Sequence, residues 1–148
     1  MMRLGAIEIS PWFIVAVALI FYFDSLNLFV FVLVSALFHE LGHISAIKLL
    51  GRKVVGLKLS LFGAEITEAG GDRLSYIDEI IIFFCGPLAN ILLAVLFSFA
   101  GNYFENNFCL TLAGINLFLG VINLLPLPQL DGGCIAKRIF ISFKYRGL

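Results

Sequence analysis

The residues best suited to chemistry in this 148-residue chain are His39, Glu40 and His43, in the run His39-Glu40-Leu41-Gly42-His43. Residues four apart on a helix point to nearly the same side, so both imidazoles can grip one ion. Glu40 is one step round, beside that ion, where it can take a proton from a water the ion activates. The chain has 2 histidines and both stand here, which sets the pattern apart from buried polar residues that merely bridge helices. A catalytic zinc takes three protein ligands and a water, so another element must supply the third. Asp131 is the candidate, in Asn123-Leu124-Leu125-Pro126-Leu127-Pro128-Gln129-Leu130-Asp131-Gly132-Gly133. Two prolines break a helix just before the acid, and two glycines follow it.

Composition decides what these groups are dissolved in. The chain is 61% hydrophobic and 14% charged, with 16 phenylalanines, and its mean hydropathy is +1.04. Soluble domains run at about 45–50% apolar and about 25% charged. The sequence is that of an integral membrane protein, which excludes soluble enzymes, nucleic-acid binders and disordered chains. Cys85, Cys109 and Cys134 form no CxxC pair and are odd in number, so they read as small apolar fillers.

Four apolar stretches imply an all-α polytopic membrane protein, one membrane-embedded core over residues 1–148. The spans are expected at about 6–23, 28–50, 77–100 and 108–127. The first is short, since a crossing needs about 20 residues. Between the second and third, Leu57, Leu59 and Leu61 alternate with Lys58 and Ser60, the period-2 pattern of a half-buried strand. With a turn at Phe62-Gly63-Ala64 and an end at Gly70-Gly71-Asp72, this predicts a small cytoplasmic-side β-hairpin over about 54–68. Ser75 is a candidate helix cap, with Asp78 and Glu79 suited to the first turn. Residues 134–146 suit an amphipathic helix on an anionic leaflet.

The bases set the orientation. Arg3, then Lys48, Arg52, Lys53, Lys58 and Arg73, then Lys137, Arg138, Lys144 and Arg146 make up all 10 Lys and Arg. With four spans they share one side, and the opposite turns carry Asp24 and Glu105 without a base. Both termini should therefore be cytoplasmic. His39 precedes Gly51 by 12 residues, about 18 Å of helix at about 1.5 Å per residue. The histidine pair thus lies inside the membrane, where each ionisable group costs about 2.5–3.5 kcal/mol or more and needs a reason. Interrupted backbone at that depth is tolerated only where protein or a cavity covers it, so the Pro-Leu-Pro segment reads as a site wall.

His39-Glu40-Leu41-Gly42-His43 and the Asn123–Gly133 run resemble the two signature motifs of the site-2 protease family of intramembrane zinc metalloproteases. Phe84-Cys85-Gly86-Pro87-Leu88-Ala89-Asn90 resembles the family's GPxxN element. The resemblance implies that His39, His43 and Asp131 are zinc ligands and that Glu40 is the catalytic base. It also implies that Asn90 and Asn123 bind substrate, through its backbone or the oxyanion. The compact spacing, without a PDZ insertion, looks most like the stage IV sporulation protein FB branch, though that branch usually has six spans and a nucleotide-sensing CBS domain. The implied substrates are membrane-associated proteins cut in or next to transmembrane segments in a bacterial cell membrane, with regulatory membrane proteins and the lipid bilayer as partners and no nucleic acid.

Read from the residues alone, a transporter also builds on buried His, Glu and Asp, but Leu28-Phe29-Val30-Phe31-Val32-Leu33-Val34 offers no polar relay beyond the site. A non-catalytic scaffold would be expected to lack one of the four site residues. The Leu57–Leu61 strand is expected either to pair with an extended substrate by edge addition or to remain an interfacial hairpin. Asn116 is expected to bridge helices, and Cys134, close to Asp131, to pack as a small residue.

Overall fold

The computed structural model describes residues 2–4, 7–24, 28–60, 63–69 and 74–146. The elements are β1 (Met2–Leu4), β2 (Ile7–Ile9), α1 (Pro11–Phe23), α2 (Leu28–Leu49), β3 (Lys53–Ser60), β4 (Gly63–Ala69), α3 (Tyr76–Tyr103), α4 (Asn107–Asn123) and α5 (Asp131–Arg146). Part of the expected turn at Phe62, and the end at Gly70-Gly71-Asp72, lie outside the described residues.

The helix expected from about residue 6 begins only at Pro11. A proline at the first helical position is already set to helical φ, and it drives the preceding residue out of the helical region. Ser10 accordingly sits at φ −69°, ψ 133°, and the chain before it forms strands. The fold is therefore not purely helical. β1 pairs antiparallel with β2, β2 runs parallel to β3, and β3 pairs antiparallel with β4, in the order β1-β2-β3-β4. Ile7 lies opposite Leu57 and Ile9 opposite Leu59. This removes the edge addition expected at Leu57–Leu61: β3 is an interior strand with a partner on each side.

The Asp24 carboxylate accepts the Phe29 N–H at 2.6 Å and so caps the start of α2. Gly51, at φ +74°, ends it. Its N–H reaches the Lys48 carbonyl, and the Arg52 N–H reaches that of Ile47, both at 3.0 Å, which is a Schellman closure. A capping box between Ser75 and Asp78 starts α3. The Asn106 side chain caps α4, accepting from Phe108 and Cys109. α4 stops at Asn123, short of the expected 127, because Pro126 and Pro128 disfavour helix just ahead of them.

α3 is the central helix, packed on α2, α4 and α5. Ala46, Ile47 and Ile82 form a small apolar core with Leu50, Val54, Leu74 and Cys85 at the sheet end of the bundle. Most other large apolar side chains face outward: Leu92 is 61% exposed, Phe99 75% and Phe118 65%. A core helix in water would turn such residues inward. α2 and α3 are long and apolar enough to cross a membrane, whereas α1 and α4 are apolar but shorter. Such outward apolar faces belong in a solvent of lipid.

Candidate metal centre

His39 and His43 leave α2 on one face and meet Asp131 at the first residue of α5. His39 Nε2 lies 3.0 Å from Asp131 Oδ2 and 3.1 Å from His43 Nε2, and His43 Nε2 lies 3.5 Å from the same oxygen. Three donors around one tetrahedral zinc, at about 2.0–2.1 Å each, stand about 3.3 Å apart. The observed triangle brackets that figure, so the three residues present one face of a metal's coordination shell.

The far nitrogens fix the rings. His39 Nδ1 donates to Asn90 Oδ1 at 2.6 Å, and His43 Nδ1 donates to the Ile82 carbonyl at 2.8 Å. Each imidazole therefore keeps its Nε2 lone pair for an ion, the arrangement seen in protein metal sites generally. Both rings are buried and Asp131 is half-buried.

The backbone that presents these groups is drawn in tightly. At Gly86, on α3, an added Cβ would overlap the His43 ring and stand 2.9 Å from His39 Nε2. Opposite the imidazole pair, only hydrogen fits. At Gly132 and Gly133 a side chain would collide with the backbone of Leu124 and Leu127. The Pro-Leu-Pro loop thus folds directly onto the first turn of α5, which carries Asp131. The Glu79 carboxylate then pairs with Arg138 Nε at 2.6 Å, tying α5 to α3 two turns further on.

Glu40 is half-buried, close enough to interact with the charges of His39, His43 and Asp131. Asn90 is completely buried and faces His39, not open space. Asn123 donates to the Leu119 carbonyl of its own helix at 3.0 Å. Asn116 bridges helices, through Asn90 on α3 and Ser35 on α2. Cys134 is half-buried and outside the converging donor set. Sequence reasoning assigned no role to Ser35 or Gly86, although Ser35, His39 and His43 follow one another at four-residue steps on one helix face.

A model of the Peptidase M50B-like family matches residues 12–126. A zinc metalloprotease of Methanocaldococcus jannaschii is 32% identical over 123 residues, covering 80% of this chain and 35% of its own length. A second protein of that organism, whose name marks a proposed zinc metalloprotease, is 29% identical over 151 residues, 84% of this chain and 79% of its own. The chain spans about a third of the length of the first of these relatives. The solved structure of a site-2 protease from Methanocaldococcus jannaschii superposes with a TM-score of 0.71 at 26% identity, over 96% of this chain and 71% of that one. The matched residues include the histidine pair and the buried asparagine and end at Pro126, and the chain belongs to the Peptidase M50B-like family.

Proposed function

We propose that the chain is the catalytic core of an intramembrane zinc endopeptidase, cleaving membrane-associated proteins in or beside their transmembrane segments. The observation that carries this reading is the convergence of His39, His43 and Asp131 on one point, with the second nitrogen of each ring already hydrogen-bonded. When bound there, zinc supplies the Lewis acidity that polarises a peptide carbonyl and acidifies a water. Glu40 accepts that water's proton and returns it to the leaving amine. Asn90 holds the His39 ring. Asn123 engages Leu119 through Nδ2, and its Oδ1 accepts an N–H of the substrate backbone.

A substrate helix must unwind before its carbonyls can be reached. Water and substrate enter at the proline break, where residues 125–129 are exposed. The relatives reported above are archaeal and not named for sporulation, so the substrate class is stated only as membrane-associated protein.

Topology supports four crossings. β2 and β3 share one sheet, so both stand on one side of the bilayer, and the chain between them leaves through α1 and returns through α2. The distribution of positive residues supports a cytoplasmic position for that side. At about 1.5 Å per residue, the 13 residues of α1 reach about 20 Å, against an apolar thickness of about 30 Å. A crossing by α1 therefore calls for a locally thin bilayer beside it.

The test pairs purified chain with membrane-protein substrates, with zinc counted in wild type and Glu40→Gln. Wild type should carry about one zinc and cleave, while Glu40→Gln keeps the metal and loses cleavage by a factor of at least about 10². Wild type without zinc, or undiminished cleavage by Glu40→Gln, would overturn the reading.

A further inference from the structure

We propose that Asn116, on α4 and not itself a donor in the metal centre, is a positioning residue that fixes which nitrogen of His39 is free for the metal. The inference rests on the zinc reading above. Ser35, Asn90 and Asn116 come from three helices and are 1%, 0% and 1% exposed. So deep a polar group must have its partners chosen for it, and here the partners impose a direction.

The Asn90 carboxamide has two unlike ends. Its Nδ2 donates to the Ser35 carbonyl at 3.0 Å and to Asn116 Oδ1 at 2.9 Å. With both acceptors on that side, its Oδ1 is left facing His39 Nδ1 at 2.6 Å. An amide oxygen cannot donate, so Nδ1 carries the ring proton and Nε2 keeps its lone pair. If the amide were turned over, its N–H would face Nδ1, the proton would move to Nε2, and the metal would lose a ligand.

Of the two acceptors that prevent this, the Ser35 carbonyl lies four residues before His39 on α2 and belongs to the helix ladder. Asn116 Oδ1 is the acceptor reserved for Asn90. Asn116 is itself held one way round, because its Nδ2 donates to Ser35 Oγ and to the Leu112 carbonyl, both at 2.9 Å. The α4 backbone thus sets Asn116, Asn116 sets Asn90, and Asn90 sets His39.

The chain has 2 histidines, so protein labelled with 15N-histidine gives four ring-nitrogen signals. In metal-free wild type, His39 should be protonated at Nδ1. Asn116→Leu keeps the shape and removes the acceptor. It should shift His39 toward a mixture of tautomers, leave the His43 signals in place, and weaken zinc binding by about 10- to 100-fold. Asn116→Asp restores an acceptor in either protonation state, with the Ser35 hydroxyl turning to donate, and should bind zinc nearly as wild type does. A folded Asn116→Leu with wild-type tautomer and zinc affinity would overturn the proposal, as would Asn116→Asp falling as far as Asn116→Leu. If Asn116→Leu does not fold, wild type whose His39 Nδ1 carries no proton would overturn it. Wild type that binds no zinc would instead sink the peptidase reading of the site.

Discussion

Gly86 shows how little room the metal centre leaves. A methyl group there would enter the space of the His43 ring and stand 2.9 Å from His39 Nε2. Overpacking of this kind costs about 1–3 kcal/mol, and here the displaced atoms belong to the candidate zinc donors. At about 1.4 kcal/mol per factor of ten, Gly86→Ala should weaken zinc binding by roughly 10- to 100-fold, read by chelator competition. Helical content should change little, since alanine is the better helix former. That His39, His43 and Asp131 converge was legible in the sequence because a helix turns residues four apart onto one face, and because a broken helix carried a single acid. What Asn90 and Gly86 do was not legible. Which way a carboxamide faces, and which glycine lies against a ring, depend on how α2 and α3 pack.

Among the helix ends, the start of α3 was readable, whereas the start of α1 and the end of α4 fall several residues from where they were expected. Ser75, Asp78 and Glu79 announced the start of α3, and the capping box is present. Ser75→Ala should lower thermal stability by about 1 kcal/mol and leave zinc binding unchanged, because the cap lies about three helical turns before Gly86, the α3 residue against the histidine rings. The Glu79–Arg138 pair offers a second test at this scale. Each side chain is about a quarter exposed, so the pair adds little to stability. Its position still matters, since α5 carries Asp131 and rests on α3. Arg138→Glu should weaken zinc binding, and the exchange Glu79→Arg with Arg138→Glu should recover it; no recovery would show that α5 is placed without this pair. The N-terminal strands were hidden because three-residue segments leave no measurable periodicity, and Ile7 and Ile9 read equally well as the start of an apolar helix.

For the whole molecule, membrane orientation is the property to test. With Cys85, Cys109 and Cys134 replaced by alanine, Lys53→Cys should react with a membrane-impermeant maleimide only from the cytoplasmic side. Glu105→Cys, in the turn between α3 and α4, should react only from the opposite side. Labelling of both from one side would break the four-crossing arrangement. The parallel pairing of β2 with β3 also sets an order of events. β2 is made first, yet its partner emerges only after α1 and α2, 50 residues later in register, as Ile9 opposite Leu59 shows. Contacts this distant in sequence close late. In the proposed four-crossing arrangement, β1 and β2 must wait at the membrane surface during synthesis, paired with each other but without β3, until both helices are inserted. A chain arrested just after Arg52 should leave residues 2–9 open to protease, and one arrested after β4 should protect them. On the proposed topology, the sheet closes only once the two helices ahead of it, including the one bearing His39 and His43, have been threaded.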